Sequence, residues 1–189
     1  MSSLFLEKSS RNKYILRLFL VFIIFLFLIL TFDSFRKITI VIALILINYC
    51  FAFLKRRIPF EFVRKYFFGL ELIMISTVAT SVAMGPKMGA IMGGLLMTVN
   101  YLAEGRSSNY FIVTITLYTI VGYVAYFYRS YDFVVLGIII TFIYNFFAFL
   151  FSKLIGANTI ALLVFSIVNI TSNIFLFTLY GMFILGLLS

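Results

Sequence analysis

The sequence predicts an all-α polytopic transmembrane helix bundle, from its composition, its long apolar segments and the absence of a two-residue period. Hydrophobic residues make up 64% of the 189 residues and charged residues only 11%. Seven segments lack Lys and Arg: Leu18–Phe32, Ile38–Leu54, Phe67–Met84, Met88–Ala103, Tyr110–Tyr128, Phe133–Phe151 and Thr159–Leu188. A hydrocarbon core about 30 Å thick needs ~20 apolar residues per helix. Because the segments do not alternate as barrel strands do, they predict membrane-spanning helices.

The first apolar segment is short and the last is long. The first segment follows a basic stretch, as in a signal peptide, but residues 31–35 are not a small-residue cleavage site, so we expect a retained anchor helix. The last segment would be about 45 Å long as one helix. It either tilts and protrudes, or breaks near Asn169–Asn173. We therefore expect a single integral membrane domain: a basic N-terminus (1–17), an anchor helix (18–32) and a six-helix body (38–188).

The distribution of basic residues predicts the orientation. Segments 1–17, 55–66, 104–109 and 152–158 contain 11 of the 15 Lys and Arg residues, and the intervening connections contain the other 4. Cytoplasmic loops carry the excess of basic residues, so we expect a multi-pass protein of the cell membrane with a cytoplasmic N-terminus. The net charge of +9 is explained by anionic lipid headgroups at the helix ends, and no nucleic-acid partner is expected.

Several kinds of chemistry are excluded by composition. The chain has no His, and Cys50 is its only cysteine, so one chain cannot form a Cys/His metal site, a disulfide or a His-activated nucleophile. It also lacks a glycine loop with a lysine for binding phosphate. We therefore expect no catalytic residue, no metal, no cofactor and no enzyme activity, with a lipid-handling enzyme as the third alternative.

A glycine-rich turn connects two of the predicted helices. Gly85 and Pro86 end one helix abruptly, and Gly89 and Gly93 form a face of small residues on the next. Ala79 and Ala83 form a similar face on the preceding helix. Small residues let helix backbones approach closely in lipid. The pattern predicts a tight helical hairpin, and alternatively a face that docks a partner subunit.

The stretch from Met84 to Gly93, MGPKMGAIMG, resembles a turn of the S components of energy-coupling-factor (ECF) transporters, in which GPxxGxxxG joins the second and third helices. The same helical plan is found in the rod-shape-determining MreD proteins. The chain length and the six-helix body Ile38–Leu188 with an extra N-terminal helix agree with this resemblance. An S component would bind a small, vitamin-like solute and work with a transmembrane coupling subunit and two ATPases. An MreD-like protein would instead be a non-enzymatic scaffold for partner proteins.

The candidate ligand-binding residues are polar side chains inside apolar helices, which are costly in lipid and usually face a bundle interior. They are Glu71, Asn100, Asn145, Asn169 and Asn173. We expect the last three to converge on one polar cavity near mid-membrane, with Glu71 or Asn100 nearer its rim. The alternative is that the amides only bond to one another and hold helices together.

The state of Glu71 has two interpretations from sequence. It lies four residues into its predicted helix, so it could sit neutral at the membrane interface. It could also be ionised and paired with a neighbouring basic residue, for which the candidates are Arg64, Lys65 and Lys87.

Overall fold

The computed structural model describes residues 20–59, 71–105 and 110–189, apart from residues 22, 26 and 30. Within this part every regular element is helical, so the predicted all-α helix bundle is confirmed. The helices are α1 (Asp33–Arg56), α2 (Ile73–Met84), α3 (Pro86–Glu104), α4 (Phe111–Val124, extended by the 3₁₀ turn Ala125–Tyr128), α5 (Phe133–Leu154) and α6 (Thr159–Leu188). The described residues from 20 to 31 are also helical. The chain divides into two compact units, one ending at Ile40 and one spanning Val41–Ser189.

The start of α1 differs from the prediction. Asp33–Lys37 was expected to be a polar connection, but these residues form the first turn of the helix. Asp33 Oδ1 accepts a hydrogen bond of 2.6 Å from Arg36, and its Oδ2 lies 3.0 Å from Lys37 Nζ. A carboxylate in the first turn that pairs with cations three and four residues later favours helix, so the polar run does not interrupt it.

Helix α2 is the core of the second unit. Every residue from Ile73 to Ser81 is buried, and α2 packs against α3, α4, α5 and α6. A helix buried on all sides is the expected outcome for an apolar segment surrounded by neighbours. The predicted segment Phe67–Met84 is not helical throughout, because Glu71 and Leu72 precede the first helical residue. Residues 67–70 lie outside the described residues.

The predicted turn between α2 and α3 is present at Gly85. This residue has φ +100°, a conformation that glycine adopts without a steric penalty, and its N–H donates to the Ser81 carbonyl oxygen at 2.9 Å. Pro86 follows as the first residue of α3, where its missing N–H costs no helical hydrogen bond. The reversal therefore depends on the Gly85-Pro86 pair.

The glycine face of α3 packs on two helices at once. A Cβ at Gly89 would overlap both the Gly122 carbonyl oxygen of α4 and Ser81 of α2, and a Cβ at Gly93 would overlap the Tyr118 backbone and come 3.0 Å from Thr77 Cγ2. The close backbone contact is thus made mainly with α4, through Gly122, which the sequence had not singled out.

The alanines predicted to meet this face do not supply its nearest contacts. Ala79 is fully buried and Ala83 partly buried, but the nearest α2 side chains are those of Thr77 and Ser81. Residues two positions apart point to nearly opposite sides of a helix, which explains the offset.

Helix α6 is continuous over its 30 residues, so the alternative of a break near Asn169–Asn173 is wrong. In the described part, four helices are long and apolar enough to cross a membrane, namely α1, α4 with its 3₁₀ extension, α5 and α6. Their outward side chains are apolar, for example Phe146 and Phe183 at 64% and 66% exposure, whereas the asparagines face inward. This arrangement suits lipid as the solvent and indicates a membrane protein.

Candidate functional site

A chain of hydrogen bonds connects three of the five predicted site residues. Asn145 of α5 donates through Nδ2 to Asn169 Oδ1 of α6 at 2.8 Å, and Asn169 Nδ2 donates to Glu71 Oε1 at 3.2 Å. All three side chains are at most 2% exposed. The convergence follows from the cost of leaving an amide without a partner in an apolar interior, which drives mid-helix asparagines toward one another.

Two tyrosines complete the centre of this cluster. The Tyr118 hydroxyl of α4 donates a hydrogen bond to Glu71 Oε1. The ring of Tyr144, on α5, lies against the ring of Tyr118 with a centroid separation of 4.4 Å. Both tyrosines are at most 1% exposed. The carboxylate of Glu71 therefore accepts hydrogen bonds from donors on α4 and α6.

Glu71 stays open to both interpretations, the neutral group at the membrane interface and the ionised partner of a basic residue. It precedes α2 and is 2% exposed, so it is enclosed by the bundle. Of the basic residues proposed as partners, Lys87 is exposed beyond the Gly85 turn, and Arg64 and Lys65 lie outside the described residues.

Asn173 lies one turn after Asn169 on α6. It is fully buried, and its Nδ2 donates to the Asn169 carbonyl oxygen at 2.9 Å. Ser172 donates to the same carbonyl at 3.0 Å. Asn173 is thus bonded to Asn169 within α6, and its convergence with Asn145 on one cavity stays a prediction.

Asn100 is buried, at 5% exposure, but no hydrogen bond between described residues connects it to the Glu71 cluster. One turn later on α3, Glu104 Oε1 lies 2.6 Å from Lys55 Nζ in a buried ion pair. A second link between α1 and the other helices is the hydrogen bond of 3.2 Å from Asn48 Nδ2 to Ser76 Oγ. Asn48, Ala52 and Lys55 are the buried residues of α1.

Three buried oxygens at the cluster make no well-directed hydrogen bond with a described residue. They are Asn145 Oδ1, Asn173 Oδ1 and the hydroxyl of Tyr144, whose ring lies against that of Tyr118. Most buried side-chain polar atoms in native proteins have a partner, and leaving one without costs about 1–3 kcal/mol. Each of the three residues contacts Asn169 or Tyr118, the two residues that donate to Glu71.

The sequence analysis missed Tyr118 and Tyr144. A signal was nevertheless present, since both lie well inside apolar segments, whereas most other tyrosines of these segments cluster near the ends as an interfacial belt does. A tyrosine hydroxyl buried in an apolar interior needs a polar neighbour, so its depth along the segment could have identified it.

No known family, curated protein or solved structure matches the chain.

Proposed function

We propose that the chain is the membrane-embedded substrate-binding subunit of a transporter for a small solute, with the Glu71 cluster as the binding site. The observation that carries this proposal is the set of unpartnered oxygens around a buried carboxylate. In a cluster that served only to hold helices together, protein groups or trapped water would satisfy these acceptors. A bound solute would satisfy them in its place.

The position of the cluster also supports binding. Its side chains come from α4, α5 and α6 and from the residue before α2. Solute sites of membrane transporters lie between helices near the bilayer midplane, often beside a helix that begins within the membrane. Helix α2 begins at Ile73, two residues after Glu71. The chain has no ATP-binding motif, so transport would depend on separate coupling and ATPase subunits, as the resemblance to S components implies.

The second candidate is a non-enzymatic scaffold of the MreD type. The direct bond of Asn145 to Asn169 favours it, because amides that bond one another can fix helix packing without a ligand. In that case trapped water would donate hydrogen bonds to the unpartnered oxygens, and the outer faces of the bundle would contact partner proteins.

The test is to purify the full chain in mild detergent, denature it and identify the small molecules released by mass spectrometry. We expect one solute in a fixed ratio to the wild-type protein. It should be absent from Asn173→Leu, which removes an unpartnered oxygen, and present in Asn48→Leu, which removes a buried amide outside the cluster. A wild-type preparation that releases no solute would contradict the proposal and favour the scaffold.

Asn169→Leu is a poor choice for this test. Asn169 accepts from Asn145 and donates to Glu71, so its removal should destabilise the bundle whether or not a solute binds. The Asn173 side chain donates one described hydrogen bond, back to its own helix, so its replacement separates binding from folding better.

A further inference from the structure

The orientation of the amides in the Glu71 cluster is fixed by backbone carbonyls. Asn145 Nδ2 donates to the Thr141 carbonyl oxygen at 2.8 Å, and Asn173 Nδ2 donates to that of Asn169 at 2.9 Å. A carbonyl oxygen only accepts, so the atom facing it must be the amide nitrogen. Asn145 Nδ2 also donates to Asn169 Oδ1, which leaves the Asn169 nitrogen to donate to Glu71.

The side-chain atoms left over are therefore acceptors. Asn145 Oδ1 and Asn173 Oδ1 are both buried and have no hydrogen-bond partner among the described residues. Each belongs to a residue bonded directly to Asn169. The Tyr144 hydroxyl is a third such oxygen, on a ring whose centroid lies 4.4 Å from that of Tyr118, which donates to Glu71. The cluster thus presents oxygens, and a carboxylate, to whatever occupies it.

We propose that the Glu71 cluster binds a small cation, either an alkali-metal ion or the ammonium group of an amine. This inference rests on the proposed function, since it names the chemical class of the solute or of an ion bound with it. Both kinds of cation can interact with oxygens that have no hydrogen-bond donor. An ammonium group donates several hydrogen bonds, and an alkali ion takes oxygen ligands in place of its hydration shell.

Other occupants fit less well. An anion would meet the Glu71 carboxylate and two carbonyl oxygens, all of which repel it at close range. Within residues 20–59, 71–105 and 110–189 no group of three or more His, Cys, Asp or Glu side chains could hold a metal ion, which argues against a transition metal. The remaining candidate for the occupant is a cation that binds neutral oxygen ligands.

The experiment measures the unfolding temperature of the full chain in mild detergent at constant chloride and ionic strength. Tetramethylammonium chloride is replaced stepwise by sodium chloride or by methylammonium chloride. Tetramethylammonium carries the same charge without N–H donors, so it controls for screening. We expect a saturable rise of about 2–5 °C for the wild type. A response to sodium alone identifies the alkali ion, and one to methylammonium alone identifies the ammonium group.

Two variants and two controls localise the effect. Tyr144→Phe removes a single oxygen that makes no well-directed hydrogen bond, and Asn173→Leu removes another, so the bundle should still fold. Each should raise the half-saturating concentration at least tenfold. Asn48→Leu and Tyr180→Phe, a buried amide and an exposed tyrosine outside the cluster, should leave it unchanged. The inference is overturned if the wild type shows no saturable response, or if both cluster variants keep it.

The two proposals can fail separately. If a neutral or anionic solute is released from the wild type and lost from Asn173→Leu, while no cation raises the unfolding temperature, the cation site is wrong and the solute-binding function stands. If neither a solute nor a cation effect is found, both are wrong and trapped water alone fills the cluster.

Discussion

Lys55 and Glu104 form a buried ion pair that joins the C-terminal ends of two helices. The distance from Nζ to Oε1 is 2.6 Å, and the two side chains are 3% and 2% exposed. Lys55 lies in the last turn of α1 and Glu104 is the last residue of α3. Close by, the Arg56 guanidinium lies 3.3 Å from the position of a Cβ at Gly105. The ends of α1 and α3 therefore lie on the same side of the bundle.

Breaking this pair from either side should destabilise the protein strongly. Lys55→Met or Glu104→Gln removes one member of a buried charge pair, which costs about 3–5 kcal/mol. The double variant should recover a large part of the loss. The measurement is the free energy of unfolding in detergent. Lys153→Met, at an exposed lysine, is the control, and single variants no less stable than this control would contradict the prediction.

The ion pair also sharpens the prediction of topology. Each helix from α3 to α5 runs in the opposite direction to the one before it. If the basic residues after α1 are cytoplasmic, the turn after α5 should therefore be cytoplasmic too. The turn between α4 and α5 should lie outside. Single cysteines can be placed at Arg57, Ile155 and Ser130 in a Cys50→Ser background, since Cys50 is itself exposed.

A membrane-impermeant thiol reagent added to intact cells should label the cysteine at Ser130 and spare the other two until the membrane is opened. Labelling of the Arg57 position from outside would show that the predicted orientation is wrong. Different labelling of the Arg57 and Ile155 positions would contradict the arrangement of helices as well.

Packing between Gly89 and Gly122 should tolerate no added side chain. A Cβ at Gly122 would overlap the Gly89 carbonyl oxygen, which belongs to rigid backbone. We expect Gly122→Ala to cost about 1–3 kcal/mol, and Gly89→Leu or Gly93→Leu to cost more. Gly186→Ala is a matched control, because nothing lies within 4 Å of a Cβ at that helical glycine. It should be neutral or stabilise by up to about 1 kcal/mol.

If Gly122→Ala unfolded at the same temperature as Gly186→Ala, the close contact of α3 and α4 would be refuted. The comparison holds the chemical change constant and varies only the space around it, so a difference between the two variants measures packing alone.

The sequence predicted the structure correctly where the physical cause lies in a few neighbouring residues or in a single side chain. Gly85 and Pro86 end and begin helices for backbone reasons, and the turn was predicted at the observed residues. Asn145 and Asn169 had to find partners because apolar surroundings cannot satisfy them, so their convergence was also predictable.

The sequence failed where the outcome depends on which helices become neighbours. Gly89 faces two helices, and nothing in its spacing selects Gly122 as the closer partner. Lys55 looked like the start of a basic loop, yet it is paired inside the bundle because Glu104 ends the helix beside it. Asp33–Lys37 looked like a connection, but its charges pair within one helical turn and extend the helix instead.

Tyr118 and Tyr144 allow a comparison between a hydroxyl that donates to Glu71 and one that makes no well-directed hydrogen bond. Their rings lie against each other, and both side chains are buried. Only the Tyr118 hydroxyl donates to Glu71. Tyr118→Phe removes a donor to the buried Glu71 side chain, which costs about 1–3 kcal/mol, whereas Tyr144→Phe removes an oxygen without a well-directed hydrogen bond and should not destabilise the protein in a buffer without a bound cation.

The free energy of unfolding of the two variants, measured in the same detergent with tetramethylammonium as the only salt cation, checks this difference. Each replacement removes one oxygen from one of two neighbouring rings, so the variants control for each other in size and burial. A Tyr144→Phe variant as unstable as Tyr118→Phe would mean that the Tyr144 hydroxyl already has a strong partner. It would then no longer count among the free oxygens, and the cation site would have to rest on Asn145 and Asn173 alone.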